Sequence, residues 1–344
     1  MTITSPRRAY IALLTAVSAA ALAACSSAGS GSPSGSAALA NSGASGGAKG
    51  TVTIAYVPGV SPFPYFDTAY RGGAAEAEKY GYTLKYIGVS AYDPSTQAAA
   101  LNAELAARPG FLLVSPDDNV ALRPAIQRYI DAGIPVITVG GTLNDTQGLV
   151  SQIATDNAQG GRIVADYLGE SLGGKGTVAV LNLTPGSSTV EDRVTGFKSD
   201  LQQKYPQITV LAEQYGGGTT PGNEQAMRSL LLAHPDIKGV FGVAETSAEG
   251  AAAAIAASGK TGQIKVAAFD ASPEEVKELK SGLIDFLSAS KPGAQLALAV
   301  DQVHDYLSGD KAAIKPLTLV ANIGVTTANV DDPAITPFLY TAGE

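Results

Sequence analysis

Short apolar runs alternate with longer segments of helical periodicity from residue 51 onward. Residues 136–139 and 178–181 are almost continuously apolar, which is typical of strands covered by helices on both faces. The predicted strands are 52–57, 82–88, 111–115, 135–140, 177–182, 208–214, 239–244, 265–270 and 284–290.

Segments of helical periodicity separate these strands at 68–80, 95–107, 120–131, 157–170, 189–204, 221–233, 246–258 and 292–308. Capping signals mark two helix starts: Asp93 stands before a proline, and Ser272 with Glu275 forms a capping box. The repeated strand–helix order predicts parallel sheets with right-handed crossovers. A break near 150–156 separates two similar halves. We therefore expect an α/β protein built from two doubly wound parallel-sheet lobes.

Composition excludes several classes of function. The 23 Lys and Arg against 31 Asp and Glu give a net charge of −8, which disfavours binding to nucleic acid. A single Cys excludes a disulfide framework, a CxxC redox site and a Cys-rich zinc site. Two His leave little material for a His-based metal site or catalytic triad. We expect neither a metal nor a cofactor.

The N-terminal segment predicts export and anchoring. Arg7 and Arg8 precede an uncharged stretch at 10–24, which is too short to span a membrane comfortably and fits a signal peptide. It ends in Leu-Ala-Ala-Cys at 22–25, which resembles a bacterial lipobox and implies a lipidated Cys25. The alternative is a plain signal peptide with an incidental Cys.

The Ser/Gly/Ala-rich segment that follows predicts a flexible tether, so we divide this part into a lipoprotein signal peptide (1–24) and a lipidated tether (25–49). No later stretch is apolar and long enough to span a membrane, so we expect an extracytoplasmic protein held to the cell membrane by lipid alone.

Aromatic side chains follow the first predicted strand. Phe63, Tyr65 and Phe66 stand in a proline-rich segment that we expect to be a loop. Ligands of open parallel sheets bind beyond the carboxyl ends of the strands, so these rings are candidates for a ligand site. Alternatively, they fill a core on the hinge side.

Acidic side chains follow two other strands. Asp117 and Asp118 come after the third strand, where either could face a cleft or cap the next helix. Asp270 ends strand 265–270, and because Ser272 is available as the helix cap, the Asp270 carboxylate is less needed for capping and is a candidate for ligand binding.

Six blocks along the chain resemble the ribose-binding-type periplasmic binding proteins, the type I receptors of ABC sugar importers. They are Phe-Pro-Tyr-Phe at 63–66 with Gly-Gly-Ala at 72–74, and the segments 132–137, 155–157, 193–197, 233–237 and 268–274. The resemblance implies two lobes joined by a three-segment hinge, one of 50–154 plus 291–318 and the other of 155–290 plus 319–344. It also implies a monomer that closes on a small ligand and then docks on permease and ATPase subunits.

The same resemblance implies roles for single residues. Tyr65 and Phe66 match the family's stacking pair, and Asp270 matches an acid that accepts sugar hydroxyls. Several family groups are replaced: Asn by Phe63, Asp-Arg by Gly140-Gly141, Arg by Glu191, Asn by Ala244 and Gln by Ser290. These losses make ribose doubtful. We expect another sugar, a polyol or a related hydroxylated molecule, bound partly by Glu191 and Glu245.

Other functions stay open at this point. The closed form could engage a membrane signalling receptor instead of a permease. A hydrolase could use Asp270 with Asp117 or Glu191. A structural lipoprotein would close on no small molecule. We expect a binding protein without enzymatic activity.

Overall fold

A computed structural model describes residues 51–185 and 188–341 of the chain. Cys25, the predicted signal peptide 1–24 and the predicted tether 25–49 lie outside the described residues. The described residues form two α/β lobes, each built on a largely parallel sheet with helices on both faces. The predicted fold class is therefore confirmed.

Lobe one carries a six-stranded, all-parallel sheet. Its elements are β1 (Thr53–Val57), α1 (Pro64–Lys79), β2 (Thr83–Tyr86), α2 (Pro94–Leu105), β3 (Phe111–Val114), α3 (Arg123–Asp131), β4 (Val136–Gly140), β5 (Ser151–Thr155), α9 (Pro292–Ser308), a short 3-10 helix (Lys311–Ala313) and β12 (Leu317–Val320). The strand order is β12-β5-β4-β3-β1-β2.

Lobe two carries a second sheet of similar design. Its elements are α4 (Asn157–Ser171), β6 (Lys175–Asn182), α5 (Ser188–Lys204), β7 (Gln207–Val210), β8 (Gln214–Tyr215), α6 (Thr220–Ala233), β9 (Ile237–Gly242), α7 (Glu245–Ala257), β10 (Lys265–Phe269), α8 (Pro273–Ser281), β11 (Phe286–Ala289), β13 (Ile323–Val325) and a 3-10 helix (Thr336–Phe338). The order is β13-β11-β10-β9-β6-β7, with β8 beside β6. The edge strand β13 is antiparallel to β11, so this sheet is mixed.

Alternation along each strand builds a core on both faces of each sheet. In β1, Ile54 and Tyr56 pack in the same cluster as the buried residues of α1 and α9. Ala55 and Val57 point the other way, into the cluster under α2 and α3. Successive side chains of a strand alternate between faces, so a strand covered on both sides must be apolar throughout.

The two predicted helix caps are confirmed. The Asp93 carboxylate accepts a hydrogen bond of 2.9 Å from the backbone N–H of Thr96 at the start of α2. At the start of α8, the Ser272 hydroxyl accepts from the Glu275 N–H while the Glu275 carboxylate accepts from the Ser272 N–H. Each cap satisfies backbone donors that the first helical turn leaves without partners.

Several strand boundaries differ from the prediction. The predicted strand 208–214 is two short strands, β7 and β8, and three strands were missed. β5 was missed because Ser151 and Gln152 interrupt its apolar pattern, although both are buried and hydrogen-bonded, Gln152 accepting from the Leu143 N–H at 2.7 Å. β12 is half-exposed and β13 has three residues, so neither gives a clear periodicity.

The chain crosses between the lobes three times: after Thr155, between Ala289 and Pro292, and between Val320 and Ile323. The pairing of β12 with β5 continues to Val320, two residues beyond the boundary expected at 318. Each crossing follows the carboxyl end of a strand, so all three connections lie at the same side of the sheets as the ligand-binding edge.

Two glycines at the crossing of α1 and α9 provide a test of this packing. A Cβ at position 72 would lie 2.3 Å from the Gly293 carbonyl oxygen, whereas a Cβ at position 293 would lie 3.3 Å from its nearest neighbour, the Thr68 carbonyl oxygen. We expect Gly72→Ala to lower the free energy of unfolding by about 2 kcal/mol or more, since the two backbones must separate. Gly293→Ala is the matched control and should cost much less. Urea denaturation of both variants measures the difference, and equal losses would contradict this account of the crossing.

Candidate functional site

A cavity of about 630 Å³ lies at the carboxyl ends of both sheets. The predicted ligand-binding residues found in its lining are Phe63, Tyr65, Phe66, Asp117, Glu245 and Asp270. Glu191, the remaining candidate, is exposed on the first turn of α5 and is not among the described lining residues. The carboxyl ends of the parallel strands thus bring together candidates that are more than 200 residues apart in sequence.

The aromatic wall is helical, which corrects the expectation of a loop. α1 begins at Pro64, so Tyr65 and Phe66 lie on its first turn and Phe63 is the N-cap residue. Proline is favoured at this position because it needs no amide hydrogen there, which explains why a proline-rich segment starts a helix. Phe66 is buried and packs edge-on against Tyr65 at 5.0 Å, while Phe63 is half-exposed. The rings therefore both fill the core and line the cavity.

The Tyr65 hydroxyl reaches towards the first and second crossings. It donates to Gln295 Oε1 at 3.4 Å, and Gln295 Nε2 donates to Thr155 Oγ1 at 2.9 Å. Gly140 has a φ of +80°, and a Cβ there would lie 2.9 Å from the Tyr65 oxygen, so a larger residue would displace the phenol. Burial raises the pKa of Tyr65 well above its ordinary value, which keeps the hydroxyl protonated.

Lobe two presents a fixed Arg–Asp pair. The Arg193 guanidinium donates to Val243 O at 2.7 Å and to Asn157 Oδ1 at 3.0 Å, and it lies 3.5 Å above the Phe269 ring. Its Nη1 is 3.7 Å from Asp270 Oδ2. Three kinds of contact within lobe two hold the guanidinium, so the protein itself fixes its position beside Asp270.

Asp270 has a backbone conformation that few non-glycine residues adopt, with φ at +93°. Its N–H donates to Ser288 O at 3.0 Å, which continues the sheet register past β10. Tyr340 donates from its hydroxyl to Asp270 Oδ1 at 2.8 Å. The surrounding hydrogen bonds therefore hold the carboxylate at the cavity wall in spite of the backbone strain.

The two acids after β3 have different roles. Asp118 Oδ1 accepts from the N–H groups of Val120 and Ala121 at 2.7 and 2.6 Å, so it caps the turn that leads to α3. Neither carboxylate oxygen of Asp117 has a hydrogen-bond partner among the described residues, although both are buried. Burial raises the pKa of Asp117 to about 7. The structure assigns the cap to Asp118 and leaves Asp117 unpaired beside the cavity.

The cavity has an acidic excess. Asp117, Asp118, Glu245 and Asp270 line it, whereas Arg193 is the one basic residue among the described lining residues. Burial, together with the charge of Asp270, raises the pKa of Glu245. An anionic ligand would meet net repulsion, while hydroxyl groups would find acceptors.

The structure adds residues that the sequence did not single out as ligand contacts. Arg193 and Asn157 belong to blocks of the family resemblance, and that membership was the available signal. Tyr92 and Tyr340 also line the cavity. Tyr340 is distant in sequence from every predicted site residue, so no local pattern pointed to it.

Within the described residues, no group of His, Cys, Asp and Glu side chains is arranged to hold a metal ion. No helix in the same part of the chain is long and apolar enough to cross a membrane.

Comparison with known proteins gives a consistent result. The periplasmic binding protein domain family matches residues 54–311. The ribose import binding protein of Salmonella typhimurium is 31% identical over 264 residues, which cover 76% of this chain and 87% of that protein.

Solved structures show the same likeness. An ABC transporter solute-binding protein from Agrobacterium vitis, bound with α-D-tagatopyranose, superposes with a TM-score of 0.77 at 34% identity and covers 85% of this chain and 100% of its own. A carbohydrate transporter solute-binding protein from Agrobacterium radiobacter, in complex with D-arabinose, gives a TM-score of 0.75 at 27% identity. The match covers 85% of this chain and 99% of that protein.

The opposite pKa shifts of Asp117 and Asp118 predict opposite effects of pH on the free energy of unfolding of the ligand-free protein. Asp117 titrates near pH 7 when folded and near 3.8 as an ordinary Asp, so between these values the folded chain holds a proton that the unfolded chain has lost. Its contribution to the free energy of unfolding therefore falls as pH rises from about 4 to 7. We expect Asp117→Asn to gain stability relative to wild type across this range, measured by urea denaturation.

Asp118→Asn is the matched control. Backbone hydrogen bonds lower the pKa of Asp118, so its contribution is present at neutral pH and is lost as pH falls through the lowered value. This variant should be less stable than wild type at pH 7. Parallel pH profiles for wild type and Asp117→Asn would show that Asp117 is not desolvated as described.

Proposed function

The chain belongs to the periplasmic binding protein family, and we propose that it is the extracytoplasmic binding component of an ABC importer for a small hydroxylated ligand. The family resemblance inferred from the sequence blocks is confirmed by the match over residues 54–311. The observation that carries the proposal is the cavity at the carboxyl ends of both sheets, where aromatic rings face unpaired and fixed carboxylates.

The chemistry of the cavity favours a neutral sugar or polyol. The rings of Phe63, Tyr65 and Phe66 offer apolar surfaces for the C–H faces of a sugar ring. Asp117 and Asp270 offer carboxylate oxygens that accept hydroxyl hydrogens. The relatives that bind D-tagatose and D-arabinose support this ligand class.

A ligand other than ribose fits the changed positions best. Gly140 and Gly141 carry no side chain that could bond to a ligand, and the Tyr65 hydroxyl lies next to Gly140. We do not assign Glu191 to the ligand contacts, because its side chain is exposed and is not among the described lining residues, although Val190 and Arg193 on the same turn of α5 are. Glu245, at the start of α7, stays in the proposed set as an acceptor.

Capture takes place by closure of the two lobes about the three crossings. A ligand that contacts both walls stabilises the closed arrangement by its differential affinity for that state. The closed form is then recognised by the membrane permease, and the associated ATPase drives transport. The protein acts as a monomer and does not transform its ligand chemically.

The protein is held outside the cytoplasm by a lipid on Cys25. The lipobox-like Leu-Ala-Ala-Cys at 22–25 supports this, as does the Ser/Gly-rich composition of 26–49. Such a tether lets the two lobes reach the permease while the lipid stays in the membrane.

Ligand-dependent unfolding tests the binding function. We expect one or more of D-tagatose, D-arabinose, D-allose, D-ribose and D-fucose to raise the unfolding temperature of the full chain. A sugar at a thousand times its Kd adds about 4 kcal/mol to stability. Asp270→Asn should lose about 2 kcal/mol of binding energy, since a charged acceptor becomes neutral.

Asp331→Asn is the control, because Asp331 is an exposed acid of lobe two that pairs with Lys280, and neither residue is among the described lining residues of the cavity. It should bind like wild type. A folded, ligand-free protein that responds to no sugar in the panel would overturn the proposed ligand class.

The anchor has a separate test. We expect Cys25→Ala to leave the protein without a lipid mass and to move it out of the membrane fraction, because the thiol is the atom that would carry the lipid. Ser26→Ala, one residue on, should be lipidated normally. Mass spectrometry of the membrane-extracted chain makes the measurement, and an unmodified Cys25 in wild type would contradict the anchor.

A further inference from the structure

We propose that the C-terminal strap, residues 335–341, completes the ligand site and that Tyr340 is a specificity-determining residue within it. The inference rests on the proposed function, since it concerns the same cavity. The strap lies beyond residue 311, outside the part of the chain that matches the family domain.

The strap is anchored in lobe two. Ile335 and Tyr340 are buried in the same core cluster as Val330, and a turn of 3-10 helix at Thr336–Phe338 connects them. The Tyr340 N–H donates to Ala271 O at 2.9 Å, one residue after Asp270. These contacts fix the position of Tyr340 relative to the end of β10.

The far end of the strap is bound to lobe one. The Thr341 N–H donates to Thr68 Oγ1 at 3.0 Å, and Arg71 Nη2 donates to Thr341 O at 2.8 Å, both on α1. The Tyr340 ring also meets Tyr65 of α1 edge-on at 5.6 Å. The strap therefore contacts both lobes beside the cavity, in addition to the three covalent crossings.

The Tyr340 hydroxyl competes for the acceptor that a ligand would use. It donates its one hydrogen to Asp270 Oδ1 at 2.8 Å, so in its contact with Ser290 the serine hydroxyl is the donor. Ser290 Oγ also lies 3.5 Å from the same carboxylate oxygen. Because of the Ser290 contact, a longer side chain at 290 would collide with the phenol. Burial raises the pKa of Tyr340 far above its ordinary value, so this hydroxyl is present as a neutral donor.

These contacts restrict the ligand hydroxyls from which Asp270 can accept a hydrogen bond. One lone pair of Oδ1 is occupied by Tyr340, and Oδ2 faces Arg193 at 3.7 Å. The phenol oxygen already accepts from Ser290 and has no free hydrogen, so it offers a ligand at most one acceptor position. Sugars that differ in the direction of a single hydroxyl are therefore distinguished at this point.

Tyr340→Phe tests the inference through the ratio of Kd values for two sugars, which a general loss of stability would leave unchanged. The variant keeps the ring and removes the hydroxyl, which frees Asp270 Oδ1 for another donor. We expect the ratio of Kd values for the two tightest sugars among D-tagatose, D-arabinose, D-allose, D-ribose and D-fucose to change by about tenfold, measured calorimetrically on the full chain.

Tyr215→Phe is the matched control. It also removes a tyrosine hydroxyl that donates to a carboxylate of lobe two, Glu213 Oε2 at 3.3 Å, but it lies outside the cavity lining. All of its Kd values should equal those of wild type.

Each other outcome is decisive. Unchanged Kd values in Tyr340→Phe, or the same loss for every sugar, would overturn the specificity role while leaving the proposed function intact. If wild type itself binds none of the five sugars, the proposed function fails and this inference fails with it.

Discussion

Asp270 is a charged side chain on a strained backbone, and the groups around the cavity are arranged to stabilise it. A φ of +93° at a non-glycine residue costs free energy, as does the partial burial of its carboxylate. A hydrogen bond from Tyr340 and the nearby Arg193 guanidinium offset these costs. Arg193 is itself held by Val243 O, Asn157 and the Phe269 ring. The lobe-two wall is consequently rigid and preorganised.

The lobe-one wall differs in one important respect. Asp117 has no hydrogen-bond partner in the described structure, and its burial raises its pKa to about 7. A ligand that donates hydroxyls to Asp117 would supply the missing partners and lower this pKa. Under the proposed function, lobe two would fix the orientation of the ligand, and lobe one would be stabilised most when the ligand bridges the cleft.

Sequence patterns were sufficient for the architecture wherever burial on both faces imposed an unbroken apolar run, as in β3 and β4. The patterns gave a wrong prediction where a buried polar side chain forms its hydrogen bond with a residue outside its own strand. Gln152 reads as polar, yet it is buried in β5 because the Leu143 N–H donates to it. Tyr65 was expected in a loop, although the proline before it starts a helix.

The sequence predicted only those site residues whose positions follow from the strand pattern. Asp117, Asp270 and the aromatic residues follow strands, so the parallel-sheet rule brings them to one cavity. Which of Asp117 and Asp118 caps the turn depends on side-chain rotamers, which the sequence does not encode locally. Tyr340 is placed at the cavity by tertiary packing in the lobe-two core and by its hydrogen bond to Asp270, which lies 70 residues earlier in the chain. No local sequence pattern predicts such a contact.

The most direct test of the account is the distance between the lobes with and without a sugar. Spin labels at Ala103→Cys on α2 and Gln203→Cys on α5, both exposed positions, would report it in a full chain that also carries Cys25→Ser. The account predicts that a sugar which binds, such as D-tagatose, shortens and narrows the distance distribution in a saturable way. A distribution that stays unchanged while calorimetry shows the sugar saturating the protein would contradict capture by closure.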